Sequence, residues 1–246
     1  MEINGKRVLV TGASRGLGQA IAFACARSGA SEVIAGVRKP QDIEDLRRAG
    51  AAENLNLTVI KLDVTSAEDV DAAGLTGRVD ILFNNAGTLA FGGVLKASLD
   101  DVRSELEVNY LGVLRVVRAF GPAMAEHGDG MIVNIGSILG KVSVPAIGTY
   151  CATKAALLSL SQALRGDLGP RGVRVITVLP STVDTDMSRG FDLPKMTTED
   201  AAKWILEAVR AEAREAAIGD ISTVVIARLK TEPEQVEKEF GQFRAD

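Results

Sequence analysis

Short runs of apolar and β-branched residues alternate along this chain with longer segments in which apolar residues recur at helical spacing. The runs contain few polar positions, which is typical of strands that are buried on both faces. They predict strands at residues 7–11, 33–37, 57–62, 79–83, 131–135 and 173–179. The segments between them predict helices at about residues 16–28, 41–49, 66–73, 99–126 and 149–168. This alternation predicts right-handed crossovers and a parallel sheet.

The pattern changes beyond Pro180. A polar loop is expected up to Met196, followed by a helix at about residues 197–213. The tail from Ile218 predicts a short strand or turn and then helical segments, the last of which opens at Pro233, because proline favours the first turn of a helix. We therefore expect an α/β protein with a doubly wound parallel sheet, helices on both faces, and a single domain over residues 1–246.

Composition narrows the classes of function. The 246 residues are 46% hydrophobic, which is enough to bury a full core. The net charge of -4 and the lack of a basic tract argue against nucleic acid and anionic membrane as partners. No run is long and apolar enough to span a bilayer, and the first residues carry no apolar leader segment, so we expect a cytoplasmic protein.

Metal and disulfide chemistry are not indicated by the sequence. The two cysteines, Cys25 and Cys151, have no ligand-like spacing and are expected to be buried thiols. The single histidine, His127, lies in a segment that predicts a surface turn, and one histidine cannot form a histidine metal site. We therefore expect no metal.

The first predicted strand leads into a glycine-rich turn and then an alanine-rich amphipathic helix. The turn consists of Thr11, Gly12, Ala13, Ser14, Arg15, Gly16, Leu17 and Gly18. Glycines allow the backbone to turn tightly and to approach a pyrophosphate, which the free N–H groups and the dipole of the helix N-terminus can bind. Many such turns carry glycines for packing alone, so this turn predicts a dinucleotide site only in combination with other features.

A second group of residues indicates proton chemistry. Tyr150 and Lys154 lie one turn apart on the same face of a predicted helix, so the ammonium group should favour the charged form of the phenol. Ser137 follows the predicted strand at 131–135 and should therefore lie at the carboxyl edge of the sheet, where open α/β proteins bind ligands. Together the three side chains predict a tuned proton donor beside a ligand.

In order and spacing these motifs resemble those of the classical short-chain dehydrogenase/reductase (SDR) family, over nearly the whole chain. Residues 11–18 match the family's TGxxxGxG, residues 84–87 its NNAG, and residues 180–185 its PGxVxT segment. Two positions depart from the pattern: Gly136 replaces a common serine, and Ser181 replaces a glycine. The resemblance implies a Rossmann-type fold and hydride transfer between a nicotinamide cofactor and a carbonyl carbon.

The resemblance also implies a role for each matching residue. It implies a catalytic tetrad of Asn109, Ser137, Tyr150 and Lys154. Tyr150 would supply the proton to the carbonyl oxygen and Ser137 would orient that oxygen. Lys154 would hold the nicotinamide ribose, and Asn109, in a helix kink, would position a water that links Lys154 to solvent. The cofactor would be bound by Gly12, Ser14, Arg15, Gly16, Leu17, Gly18, Arg38, Asp63, Val64, Asn85, Ala86, Gly87, Tyr150, Lys154, Pro180, Val183 and Thr185, with Asp63 at the adenine.

The end of the second predicted strand bears on the choice of cofactor. NAD enzymes usually carry an acid there that binds the ribose 2'-hydroxyl, whereas this chain has Gly36, Val37, Arg38 and Lys39. Arg38 can offer a guanidinium fork to a 2'-phosphate, with Arg15 as a second cation. We therefore expect NADP(H) to be preferred over NAD(H). The alternative is that both arginines are solvated loop charges.

The substrate is less closely defined. The expected pocket walls, residues 88–96, 138–149 and 181–196, carry the apolar residues Leu89, Phe91, Val94, Ile138, Leu139, Val142, Val144, Pro145, Ile147, Met187 and Phe191. These walls favour a small apolar or aromatic ketone, aldehyde or alcohol. The alternatives are a ketoacyl-carrier-protein or steroid reductase of the same family, and a catalytically idle NADP-binding regulator that senses redox state.

Association is expected from the helices at 99–126 and 149–168. SDR proteins usually pair through these helices, and the second is rich in small and apolar residues, although much of that stripe should pack on the sheet. We expect a homodimer or a homotetramer.

Overall fold

Seven parallel strands form one sheet in the order β3-β2-β1-β4-β5-β6-β7. The computed structural model describes residues 1–244. The strands are β1 (Arg7–Thr11), β2 (Glu32–Val37), β3 (Leu57–Lys61), β4 (Ile81–Asn84), β5 (Gly130–Ile135), β6 (Val173–Pro180) and β7 (Glu215–Ile218). The predicted parallel sheet is confirmed, although β4 begins at Ile81 rather than at residue 79. The edge strand β7 pairs in parallel with β6 and ends at Ile218, where the sequence predicted a short strand or turn to begin.

The helices lie between these strands. They are α1 (Gly16–Arg27), α2 (Gln41–Ala52), α3 (Ala67–Gly74), α4 (Leu99–Leu106), α5 (Val113–His127), α6 (Gly148–Leu168), α7 (Thr198–Arg210), α8 (Asp220–Thr231) and α9 (Pro233–Phe240). The long helix predicted at 99–126 is divided, because a π-helical segment, Glu107–Gly112, joins α4 to α5. Pro233 opens the last helix as predicted. Within the described residues no helix is long and apolar enough to cross a membrane.

Each strand divides its side chains between two apolar layers, because successive residues point to opposite faces of a sheet. In β1, Val8 and Val10 pack into the layer formed with α1, α2 and α7, where Cys25 is also buried. Leu9 packs into the opposite layer, formed with α3, α5 and α6. Both faces of the sheet are therefore covered by helices, and the carboxyl edge of the strands is left to the loops.

The winding of the chain reverses between β1 and β4. From β1 the strands proceed outward to β3, and the chain then returns to β4 on the other side of β1. Open α/β proteins bind ligands in the crevice at such a reversal, outside the carboxyl ends of the strands. The glycine-rich turn after β1 and residues 84–87 at the end of β4 flank this crevice.

Candidate active site

Thr11 ties the glycine-rich turn to the loop that follows β4. Its hydroxyl accepts hydrogen bonds from the backbone N–H of Asn85 at 3.0 Å and of Ala86 at 3.1 Å, and donates to the carbonyl of Phe83 at 3.3 Å. The Asn85 side-chain amide donates in return to the carbonyls of Thr11 at 2.9 Å and Gly12 at 3.1 Å. The two loops at the crevice therefore form one hydrogen-bonded cradle.

The glycines of the cradle are required by close approach. Gly12 has a φ of 65°, and a Cβ there would lie 2.8 Å from Cα of Ala86. A Cβ on Gly18 would lie 2.3 Å from the carbonyl oxygen of Gly12 and 2.4 Å from the amide nitrogen of Asn85. Any larger residue at either position would push the two loops apart.

The N-terminus of α1 is left open, unlike those of three other helices. Arg15 precedes α1 without a capping hydrogen bond from its side chain, and the first turn contains no acid. By contrast, α3, α4 and α7 begin with the capping side chains of Ser66, Ser98 and Thr197, each followed by acids in the first turn. The free N–H groups and the positive dipole end of α1 can therefore bind an anion such as a pyrophosphate.

Arg38 and Asp63 are brought side by side at the outer end of the crevice. They follow the neighbouring strands β2 and β3, which are joined there by a hydrogen bond of 2.7 Å from Leu62 N–H to the carbonyl of Val37. Asp63 accepts from the N–H of Thr65 at 2.9 Å and from its hydroxyl at 2.8 Å, which fixes its carboxylate, whereas Arg38 is exposed. Both residues therefore lie beyond the carboxyl ends of neighbouring strands, at the edge of the sheet where open α/β proteins bind ligands.

Arg15, the second predicted cation, lies against a different part of the molecule. Its Nε is 3.1 Å from Oδ2 of Asp186 in the loop after β6. In the same loop, Pro180 ends β6 and Val183 pairs with Met196. Thr185 caps a short 3-10 helix and contacts Gly16. Four other predicted cofactor residues lie at the cradle or at its edge: Ser14 and Leu17 in the turn itself, Gly87 beside Asn109, and Val64 against Gly112.

Ser137, Tyr150 and Lys154 meet where β5 ends and α6 begins, and all three side chains are buried. The ammonium nitrogen of Lys154 lies 5.5 Å from the centroid of the Tyr150 ring and donates to the carbonyl of Ile135 at 2.8 Å. The Ser137 hydroxyl accepts from the N–H of Leu139 at 3.1 Å, and it lies close enough to Tyr150 to favour the charged form of the phenol. The fold thus gathers a hydroxyl, a phenol and an ammonium group that are distant in sequence.

Burial dominates the titration of this group. It raises the pKa of Tyr150, and the nearby Ser137 hydroxyl acts in the opposite direction. It also lowers the pKa of Lys154 to about 8. This differs from the expectation that Lys154 brings the pKa of Tyr150 down, because desolvation opposes the charged form of both groups. In the protein by itself, Tyr150 is held as a neutral phenol that can donate a proton.

Asn109 lies in the π-helical segment, and both N–H groups and the oxygen of its side-chain amide make hydrogen bonds. It donates to the carbonyl of Thr88 at 2.9 Å and to the hydroxyl of Thr153 at 2.9 Å, and it accepts from the N–H of Thr88 at 2.9 Å. The predicted kink is therefore a π-helix, a distortion that occurs frequently at functional sites. The side chain joins the loop after β4 to α6, next to Lys154.

Glu105 is a further residue of the site that the sequence analysis missed. It is buried one helical turn before Asn109, and its Oε1 accepts from the N–H of Ala90 at 2.8 Å. Its Oε2 is buried without a hydrogen-bond partner, and its charge contributes to raising the pKa of Tyr150. The spacing of four residues from Asn109 was the available signal, since residues so spaced share a helix face.

An apolar cluster covers Tyr150 and contains residues from all three segments that were predicted to form the pocket walls. Its members are Val144, Ile147, Tyr150 and Cys151, with Leu89, Leu139, Ala146, Phe191 and Phe240 packed against them. The backbone of Ala146 joins the walls, since its carbonyl accepts from Gly93 N–H at 3.0 Å and its N–H donates to the carbonyl of Phe243 at 3.0 Å. The loops after β4 and β5 therefore meet the C-terminal segment at one point.

The structure adds to or changes the sequence analysis at three points in and near the predicted walls. Ile138 and Val142 pack against Val225 and Val236 under α8 and α9, so they belong to the core rather than to the cluster around Tyr150. The contribution of Phe240 and Phe243 from the C-terminal segment was not predicted. The departure at Gly136 is explained by packing, because a Cβ there would lie 3.0 Å from the carbonyl oxygen of Val178 in β6.

Comparison with known proteins agrees with this geometry. The family profile of short chain dehydrogenases matches residues 6–194. An oxidoreductase of Staphylococcus aureus strain MW2 is 33% identical over 215 residues, which cover 84% of this chain and 92% of that protein.

Two solved structures share the fold over nearly the whole chain. A short chain dehydrogenase of Burkholderia cenocepacia in complex with NADP has a TM-score of 0.90 and 35% identity, and the match covers 98% of this chain and 99% of that one. A short chain dehydrogenase/reductase of Burkholderia phymatum in complex with NAD has a TM-score of 0.85 and 25% identity, covering 97% and 96%. With its glycine cradle and its buried serine, tyrosine and lysine, the chain belongs to the short-chain dehydrogenase/reductase family of oxidoreductases.

Proposed function

We propose that the protein is an NADP(H)-dependent oxidoreductase that interconverts a ketone or aldehyde with an alcohol, as carbonyl reductases and alcohol dehydrogenases do. The observation that carries this proposal is the burial of Tyr150 with Ser137 and Lys154 beneath an apolar cluster and beside the glycine cradle. A phenol, a hydroxyl and an ammonium group in that arrangement can transfer a proton to or from an oxygen held in the cluster.

The cradle fits a dinucleotide. Gly12 and Gly18 allow the two loops to pack tightly against each other, and the uncapped start of α1 beside them offers free N–H groups to a pyrophosphate. Asp63 would contact the adenine, and Lys154 would bind the hydroxyls of the nicotinamide ribose. When bound, the nicotinamide supplies the hydride in reduction and accepts it in oxidation.

Preference for the phosphorylated cofactor is supported by Arg38. It is exposed at the end of β2, where an NAD enzyme usually carries an acid, and its guanidinium can bind a 2'-phosphate through two hydrogen bonds. The relative from B. cenocepacia binds NADP and the one from B. phymatum binds NAD, so the family accommodates both. The preference of this chain is therefore assigned from Arg38 and the missing acid.

In the direction of reduction, Ser137 would orient the carbonyl oxygen by hydrogen bonding and Tyr150 would donate its phenolic proton to that oxygen. Burial suits Tyr150 to this step, because a raised pKa keeps the proton on the phenol until the substrate oxygen becomes basic. Lys154, whose pKa is lowered to about 8, can pass a replacement proton toward Tyr150. In oxidation the same groups act in reverse: Tyr150 must first give up its phenolic proton, which neutral Lys154 can accept, and the phenolate then takes the proton of the alcohol.

The walls favour a small apolar or aromatic substrate. The cluster above Tyr150 is made of aliphatic and aromatic side chains, and the rings of Phe91 and Phe191 lie 5.1 Å apart at its outer side. Apolar walls with a few polar groups at the reacting atom are typical of sites for small uncharged ligands. A charged sugar phosphate would find few cations there.

The test is a panel of aliphatic and aryl ketones, aldehydes and secondary alcohols, followed at the nicotinamide absorbance with NADPH, NADH and their oxidised forms. We expect turnover of apolar carbonyl compounds with NADPH and much slower turnover with NADH. Tight cofactor binding without turnover of any substrate would instead support a redox-sensing regulator, and equal use of both cofactors would contradict the NADP assignment.

We also propose that the protein forms a homodimer or a homotetramer and acts on small molecules rather than on nucleic acid. Leu99 and Leu106 of α4 and Leu111 in the π-helical segment are exposed, as expected for a face that pairs with a second copy. Light scattering of the purified protein tests this, and a monomer at micromolar concentration would contradict it.

A further inference from the structure

Arg15 stands at the tip of the glycine-rich turn, and its side chain reaches across to the opposite loop. Its Nε lies 3.1 Å from Oδ2 of Asp186. The Thr185 side chain also lies close to the turn at this point, since a Cβ on Gly16 would lie 3.2 Å from Cγ2 of Thr185. The glycine-rich turn and the loop at 181–196 are therefore joined by an ion pair and a close contact.

Asp186 is held in place independently of Arg15. It opens a 3-10 helix, Asp186–Ser188, in which the Ser188 hydroxyl donates to the carbonyl of Thr185 at 3.0 Å and accepts from its N–H at 3.2 Å. The other carboxylate oxygen of Asp186 pairs with Arg189. Asp186 therefore keeps its position and one cation when Arg15 leaves it.

Arg15 is free to change partners. Its side chain is 73% exposed, so little packing holds it against Asp186. The turn that carries it is tied to the end of β2 by a hydrogen bond of 2.9 Å from Ala13 N–H to the carbonyl of Gly36, two residues before Arg38. Arg15 thus has the carboxylate of Asp186 on one side and the expected position of the 2'-phosphate on the other.

We infer that Asp186 competes with the 2'-phosphate of NADP(H) for the guanidinium of Arg15, and so limits the preference for the phosphorylated cofactor. This inference rests on the proposed function in one respect, because it takes Arg15 as a phosphate-binding cation. A phosphate carries roughly two charges and accepts a bidentate guanidinium, so it can displace a single exposed carboxylate. Binding of NADP(H) exchanges one ion pair for another, and that exchange subtracts from the affinity.

The expected effect is small and depends on salt. Exposed ion pairs contribute at most about 1 kcal/mol, which corresponds to a factor of roughly five in Kd. Removal of the competitor should therefore strengthen binding of the phosphorylated ligand about two- to five-fold at low ionic strength, and less at high ionic strength, where exposed charges are screened.

The test measures Kd by titration calorimetry for adenosine 2',5'-bisphosphate and for adenosine 5'-monophosphate, which differ only in the 2'-phosphate. Both ligands lack the nicotinamide, so its contacts with the loop at 181–196 do not contribute. The proteins are wild type, Asp186→Asn, Arg15→Ala and the double variant. Asp192→Asn is the matched control, because it removes the same charge from an exposed position of the same loop.

We expect Asp186→Asn to bind the bisphosphate two to five times more tightly and the monophosphate unchanged, with no gain in the Arg15→Ala background and none in Asp192→Asn. Equal tightening of both ligands, a gain that persists without Arg15, or no gain at all would overturn the competition. An Arg15→Ala variant that binds the bisphosphate as wild type does would also overturn the competition, because Arg15 would then not bind the phosphate. The proposed cofactor preference fails separately: in that case wild type would bind the bisphosphate no more tightly than the monophosphate.

Discussion

The loops that would hold the cofactor and those that would hold the substrate meet at the same edge of the sheet but are built differently. The cofactor loops, residues 11–18 and 84–87, are joined by the buried hydroxyl of Thr11 and by glycines that allow no Cβ. The substrate loops, which are expected to hold the substrate and include residues 88–96 and 181–196, carry exposed apolar side chains such as Phe91 and Leu95. Binding of a dinucleotide requires one fixed backbone conformation in the cofactor loops. The side chains of the substrate loops, by contrast, can vary without altering the fold.

Tyr150 lies where the cofactor loops and the substrate loops meet. Its substitution should therefore distinguish catalysis from cofactor binding more clearly than any other change. Tyr150→Phe keeps the ring in its cluster but removes the transferable proton, and we expect kcat to fall by about 10²- to 10⁴-fold. The Kd for NADPH, measured by fluorescence, should stay within about two-fold of wild type. A variant that keeps more than a tenth of wild-type kcat would contradict the role of Tyr150.

Arg38→Asp should change the cofactor side and leave the substrate side intact. It removes a charge-assisted hydrogen bond worth roughly 1.5 to 3 kcal/mol and places a carboxylate against the phosphate. We expect the ratio of kcat/KM for NADPH over NADH to fall at least about ten-fold at low ionic strength. Arg48→Asp makes the same charge change on the exposed face of α2 and should leave the ratio unchanged.

Lys154 buries an ammonium group at the boundary between the cofactor loops and the substrate loops, and this burial affects the stability of the fold. Because burial depresses its pKa to about 8, the unfolded chain binds more protons than the folded one between about pH 8 and 10.5. The cost of burying the ammonium is therefore fully present below pH 8 and disappears as the pH rises through this window. Lys154→Met removes that cost, so its free energy of unfolding should lie above that of wild type by more at pH 7 than at pH 10.

The change in this difference should be roughly 2–3 kcal/mol, at about 1.4 kcal/mol per pKa unit. Urea unfolding of both proteins at several pH values measures it. Burial raises the pKa of Cys25 and of Cys151, which makes wild-type stability fall with pH, but these contributions cancel in the difference. A difference that stays constant with pH would show that Lys154 is not strongly desolvated.

Substitution of one glycine in each region tests how tightly the cofactor loops and the substrate loops are packed. Gly18→Ala would place a Cβ 2.3 Å from the carbonyl oxygen of Gly12, so we expect a loss of about 1–3 kcal/mol of stability and weaker cofactor binding. Gly190→Ala, on a substrate loop, would place its Cβ 3.4 Å from the Phe91 ring, an ordinary contact. Thermal unfolding should show a lower Tm only for the first. Equal losses would show that the two regions are packed alike.

Phe191→Ala should give the smallest effect and act on the substrate side alone. The ring contacts the cluster above Tyr150 and the ring of Phe91, so its loss should raise KM for aryl ketones several-fold while the Kd for NADPH stays unchanged. Leu193→Ala, a half-exposed position of the same loop, is the control. An unchanged KM would place the substrate elsewhere in the cluster.

Much of the site was predictable because its residues follow local rules. The glycine-rich turn, Tyr150 with Lys154 on one helix face, and Ser137 after β5 can each be recognised within a few residues of sequence. Thr11 and the C-terminal Phe240 could not be assigned a role in this way, and for Glu105 the only local signal was its spacing of four residues from Asn109. Their roles depend on partners at Asn85, around Tyr150 and at Ala90, which are distant in the chain.

The alternation of strands and helices, the glycine positions and the reactive side chains are evident from the sequence alone, because each depends on hydrophobic periodicity or on one residue's own geometry. How these features act together depends on the tertiary structure. In the folded chain, burial raises the pKa of Tyr150 where Lys154 was expected to lower it, a π-helix contains Asn109, and Arg15 pairs with Asp186. Desolvation and long-range ion pairs arise from residues far apart in the chain, which a local pattern does not record.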